Sequence, residues 1–186
     1  MRLRKNDEKG ASLVEVGLVL PLLIILAIGL SEVGFLVIDY ITVTNAARAG
    51  ARTGSAAADD PTADALLLNV VEEAACNLRF SNLETVTIYR AEPDGSIPTA
   101  GNFVNIYDNP GPLSSLDCNL PSHGLVCTNG CPWASVGRDR VPPDFDTVGV
   151  EVTFSHSSVT GLFPFPTVDW TEIAVMQVEP DTSGSQ

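Results

Sequence analysis

The dominant pattern in the chain is an apolar stretch without a polar face. No charge falls between Val16 and Leu30, Ser31 extends the uncharged run to sixteen residues, and after Glu32 it resumes from Val33 to Ile38. Counted through Glu32 this is 23 residues, about 34 Å as a helix against roughly 30 Å of bilayer hydrocarbon. A core helix of a soluble domain is rarely apolar on every face for so long, so the pattern predicts a membrane span. Helical character continues past Asp39, where Ala46, Gly50 and Gly54 form a small-x3-small row that permits close helix approach. Arg48 and Arg52, also four apart, fall on another face, where they read as solvated charges available to headgroups or to acids of the body. A Ser/Ala-rich break is expected at Gly54 to Ala58.

Beyond it the patterning turns shorter and mixed. Asp60-Pro61 reads as an N-cap followed by proline at the first helical position. Leu67, Val70, Val71, Ala74 and Leu78 then repeat at helical spacing and predict a second helix to about Arg79. Strand patterns follow: Glu84 to Ala91, a Pro93-Asp94-Gly95 turn, and Asn102 to Tyr107 as the hairpin partner. Val148, Val150, Val152 and Phe154 alternate with Gly149, Glu151, Thr153 and Ser155 to give the clearest strand. Trp170 to Val178 reads as the last strand and Asp181 to Gln186 as a disordered tail. The order of elements predicts an α+β fold: an N-terminal transmembrane helix continuing into a stalk, a second helix, and a small antiparallel sheet. The expected divisions are 1–10, a basic leader; 11–53, span and stalk; 60–180, the α+β domain; and 181–186.

Charge sets the direction. Arg2, Arg4, Lys5 and Lys9 precede the span, and the remaining 176 residues hold six arginines against 21 acids, a net of −15. Because Lys and Arg decide topology, the tip is expected in the cytoplasm and the acidic body outside, with the chain a single-pass membrane protein. The acidic balance argues against nucleic acid as a partner. A secretory signal peptide shares the layout but has an apolar core of only about 7–15 residues; cleavage in Ala46 to Ala51 is the competing reading.

At the junction of tip and span, Gly10 is followed five residues later by Glu15, just inside the apolar helix. A carboxylate at hydrocarbon depth costs about 2.5–3.5 kcal/mol on insertion scales. No cation lies within the span to offset this. Cutting after Gly10 would create one, the free amine of Ala11. This junction resembles the processing site of type IV pilin-like precursors, which implies cleavage after Gly10 by a prepilin peptidase and an assembly role for Glu15. The stretch Lys9 to Arg52 is similar, more particularly, to the start of TadE-like proteins, minor pseudopilins of the tight-adherence (Flp) pilus. The resemblance is carried by Gly10-Ala11, Val14-Glu15-Val16, Leu20-Pro21-Leu22, Glu32-Val33-Gly34 and Asn45 to Arg52, with Val16 and Val33 where aromatic residues are common. It implies a processing site at Gly10, Ala11 and Glu15, and assembly or helix contacts at Glu15, Pro21, Glu32, Asn45, Arg48 and Arg52. The implied partners are the membrane, a prepilin peptidase, other pilins or pseudopilins and the assembly platform. For Glu32 two readings stand: a carboxylate reaching interfacial water, or a contact to a neighbouring subunit or the platform.

Cys76, Cys118, Cys127 and Cys131 make an even count, and in an exported domain they predict two disulfides with three possible connectivities. The alternative is zinc held by Cys118, His123, Cys127 and Cys131, whose spacings match no familiar pair of knuckles. His156 reads as packed, and the pairs Asp59-Asp60 and Glu72-Glu73 as solvated faces. Trp133 and Phe163 to Phe165 read either as an exposed contact patch or as anchors. No phosphate loop, nucleophile elbow or His-Glu metal motif is present, so the chain reads as no enzyme and as needing no cofactor. The expected function is pilus assembly in support of adhesion or secretion. Its competitor is a generic membrane-anchored or secreted binding protein that escapes prepilin processing.

Overall fold

The computed structural model describes residues 7–78, 80–110, 124–141, 143, 145–161 and 167–180, with the side chains of residues 7–9 and 11 left out. Cys118, His123, Arg79, Phe163 to Phe165 and the 181–186 tail therefore lie outside the described residues. A helix of 51 residues, α1, runs from Asp7 to Ala57, and α2 spans Ala63–Ala75. Five strands follow: β1 (Ser81–Arg90), β2 (Val104–Asp108), β3 (Val126–Cys127), β4 (Thr147–His156) and β5 (Val168–Gln177). They form one sheet in the order β3-β2-β1-β4-β5, every neighbouring pair antiparallel. The α+β architecture expected from the sequence is present.

Both helices lie on one face of the sheet. Val43, Ala46, Ala47 and Ala51 of α1 and Leu67, Leu68 and Val71 of α2 close a core with Leu83, Val86 and Ile88 of β1 and Val148, Val150, Val152 and Phe154 of β4. The expected small-residue row is what allows this. A Cβ on Gly50 would stand 2.8 Å from Val71 Cγ2, and one on Gly54 2.6 Å from Leu67 Cδ1. That close approach also explains why no break occurs at Gly54: the helix continues to Ala57 because Gly54, Ser55 and Ala58 are packed rather than solvated. Ala58 then ends it in the left-handed region, at φ 49°.

The second helix is shorter than its sequence suggests. Asp60 Oδ1 accepts bonds from the Thr62 backbone N–H and hydroxyl, which makes residues 60–62 a turn and delays the helix to Ala63. At its far end the Cys76 and Asn77 amides close back on Glu72 and Ala74. Leu68, not Val70, supplies the buried position. Glu72 is a further correction, since it is only 3% exposed and accepts from the Leu125 amide.

On the face away from the helices, the Tyr89 ring lies across Gly149, and its hydroxyl donates to the Gly95 carbonyl. Any Cβ at 149 would overlap that buried ring. Gly149→Ala is expected to lower stability by about 1–3 kcal/mol as the ring is displaced. An unchanged thermal midpoint would show that the sheet can absorb the methyl group.

Candidate functional site

The domain covers only part of α1. From Ser12 to Ala27 every residue is exposed, partial burial begins at residues 28 and 29, and the first buried residue is Glu32. The bare apolar segment thus ends by Ser31. Ser12 to Ser31 would span about 30 Å as a helix, the thickness of a bilayer's hydrocarbon. Beyond it the domain packs on one side of α1, at Glu32, Phe35, Leu36 and Asp39, while Val33, Gly34, Val37 and Ile38 stay exposed on the other.

Two acids seven residues apart, on one face of α1, make the seat. Glu32 accepts from the Val159 amide (2.9 Å), the Thr160 amide (2.7 Å) and the Thr160 hydroxyl (2.6 Å). Neither reading of Glu32 anticipated this, because its partners lie 127 and 128 residues away in the sequence. Asp39, 1% exposed, accepts from the Ser81 hydroxyl at 2.8 Å and from the Phe80 amide at 3.4 Å. With that proton committed, Ser81 Oγ accepts from His156 Nδ1 at 2.8 Å. The set contains Ser, His and Asp, yet the serine bridges the other two, His156 Nδ1 lying 3.5 Å from Asp39 Oδ2, and all three are buried. Nucleophilic catalysis needs the histidine in the middle and an open serine. The cluster therefore joins stalk to sheet, and His156 is packed, as its alternation implies. Phe35 against Phe80 (4.8 Å between centroids) and Tyr40 against Trp170 (5.4 Å) complete the joint.

A second buried network fixes the other end of the sheet to α2. Asp64 Oδ2 accepts from Asn105 Nδ2 (2.9 Å) and the Tyr107 hydroxyl (3.0 Å), while its Oδ1 binds Arg138. Asn105 also pairs both ways with the Trp133 backbone, and the Arg138 guanidinium lies 4.3 Å from the Trp133 ring centre. Burial, reinforced by the Asp64 charge, pushes the Tyr107 phenol up. Trp133 is 4% exposed, which makes it an anchor rather than a contact patch.

The remaining expected residues divide into two sets. Gly10, Glu15 and Pro21 lie along the bare helix; Gly10 has open space around it, and Glu15 borders Val16, Val19, Leu20 and Leu23. Helix α1 passes through Pro21, although the proline leaves the Gly17 carbonyl without its usual donor. Asn45, Arg48 and Arg52 lie exposed on the outer side of the stalk. Cys127 and Cys131 are disulfide-bonded to each other, which removes both from the zinc alternative, and Cys76 is disulfide-bonded too. Among the described residues no group of His, Cys, Asp and Glu is placed to hold a metal.

The bare apolar helix has a glycine-to-glutamate step at its start and a small-residue stalk at its end. Residues 10–52 match the family model of the TadE-like protein. This TadE-like segment covers the span and most of the stalk and stops before α2. Neither a curated protein nor a solved structure matches the chain. The segment supports a role related to the Tad pilus and association with a membrane.

Proposed function

We propose that the protein is a minor pseudopilin of a Tad-type pilus, held in the bacterial cytoplasmic membrane by α1 with its N-terminus inside and the α+β domain outside. The observation that carries this reading is the coincidence of the TadE-like segment with a helix left bare for about 20 residues and then seated under a folded domain. Prepilin peptidase removes residues 1–10, and the new amine of Ala11 neutralises a neighbouring subunit's Glu15 within the apolar layer. Other pilins pack along the bare helix, and the assembly platform engages it during incorporation. The acidic domain faces outward, supporting adhesion or secretion.

N-terminal sequencing of the membrane-extracted protein tests this directly. A start at Ala11, lost in Gly10→Val, is expected, with processing reduced by orders of magnitude in the variant. A start near Gly50 or an intact Met1 in cells that carry the peptidase would overturn it, and would favour a generic anchored or secreted binding protein.

A further inference from the structure

Five arginines fall among the described residues, and three sit against an aspartate: Arg90 on Asp146, Arg138 on Asp64 and Arg140 on Asp59. Arg48 and Arg52 are the exceptions. Both are exposed, and neither side chain makes a hydrogen bond or ion pair among the described residues. Like charges four apart on a helix repel by a few tenths of a kcal/mol. Among the described residues, no acid is placed beside them.

The complementary vacancy is on the opposite side of the molecule. Glu151 points from β4 to the face away from the helices, is partly buried, and its side chain makes no hydrogen bond or ion pair among the described residues. Burial pushes its carboxyl up. Its cross-strand neighbour Ile173 is 53% exposed.

The two features stand at the same height. Strand β4 runs along α1 in the opposite sense, with His156 beside Asp39 and Val148 against the position of Gly54. Eight strand steps (about 26 Å) and fifteen helix steps (about 22 Å) cover nearly the same distance. Glu151, five steps from His156, is therefore level with residue 48. Two chains anchored in one membrane with the same orientation present the arginines of one and the glutamate of the other at one level.

We infer that a second copy of this chain stacks the far face of its sheet on the outer face of α1, so that Glu151 of one copy meets Arg48 and Arg52 of the next. Ile173 and Val175, beside Glu151 on the sheet face, shield the charges from water. The contact joins unlike surfaces, so it leaves each end free to add another copy and generates a row rather than a closed pair. The exposed edge of β5 is no substitute for it. Strand β5 runs along α1, as Tyr40 on Trp170 and Ser55 on Glu179 show, so two-fold pairing of that edge would point the two anchors in opposite directions. The inference rests on the shared orientation proposed above, but not on cleavage after Gly10.

The test uses full-length chains in membranes. An Arg48→Lys, Glu151→Gln chain with one affinity tag is co-expressed with the unaltered chain carrying another, and the membranes are treated with a carbodiimide that couples an amine directly to a carboxylate. A crosslink between Lys at position 48 and Glu151, present only in dimers carrying both tags, is expected. Substituting Glu151→Gln in the second chain as well should lower dimer yield at least about tenfold. Read by copurification of the two tags without crosslinker, Arg48→Glu with Arg52→Glu should abolish dimers formed by the otherwise unaltered chain, and adding Glu151→Arg should restore them. Absence of mixed dimers, or a crosslink that maps to another carboxylate, would overturn the inference, the latter pointing to a different acidic partner. A crosslink in chains that retain Met1 would preserve the stacking while overturning the processing.

Discussion

Asp64→Ala is expected to destabilise the α+β domain by about 3–5 kcal/mol, among the largest losses available to a single substitution outside the hydrophobic core. The Arg138 side chain is 0% exposed, and its Nε and Nη1 have no hydrogen-bond partner among the described residues. Its charge is answered by the Asp64 carboxylate and the face of Trp133. Removing that carboxylate leaves a buried cation and takes the acceptor from Asn105 and Tyr107 at once. Asp64→Asn with Arg138→Met should cost less than Asp64→Ala alone, because the double variant buries no charge and keeps an oxygen for the tyrosine. Urea unfolding followed by tryptophan fluorescence reads this out, since Trp133 lies in the network. If the double variant were the less stable, the charge pair would not be the cause. The same network sets an alkaline limit. The Tyr107 phenol is raised in the folded state, so its contribution is complete below the unfolded value of about 10 and is lost as pH rises through the folded value.

Glu32→Ala should act locally and strongly. The carboxylate takes three hydrogen bonds from Val159 and Thr160, and a bond to a charged acceptor is worth about 1.5–3 kcal/mol. Amide exchange at Val159 and Thr160 is expected to accelerate by about 10- to 100-fold, while the amides of Val150 and Val152 keep their protection. Glu32→Gln retains an acceptor and should fall between the two. Equal acceleration throughout the sheet would mean that Glu32 stabilises the whole domain rather than its seat.

The sequence made the elements legible where one side chain in two, or one face of a helix, decides the outcome. The valines of β4, the small row on α1 and the glycine-to-glutamate step each carry a local pattern, and the structure has an element or an exposed position at each. What escaped was long-range polar pairing. Glu72 looks like any helix-surface acid, and only the Leu125 amide, 53 residues away, accounts for its burial. Asp64 reads as a favourable acid in a first helical turn, with nothing nearby to announce Arg138. A partial signal did exist at the stalk. Beyond Glu15, Glu32 and Asp39 are the acids interrupting the apolar helix, and their seven-residue spacing places both on one face, where buried partners would be expected. The break assigned at Gly54 failed for the opposite reason: glycine and serine there serve close packing, which local composition cannot separate from a loop.

The alignment of β4 and β5 with α1 also bears on how the protein meets force. A pull on the anchor along its axis acts parallel to both strands, so the load falls on the Glu32, Asp39 and Ser55 attachments and on the core between them in shear. In that geometry the contacts must give way together, whereas a helix crossing the strands would peel from the sheet one contact at a time. The domain is thus mounted to resist extraction along the direction in which its anchor holds it.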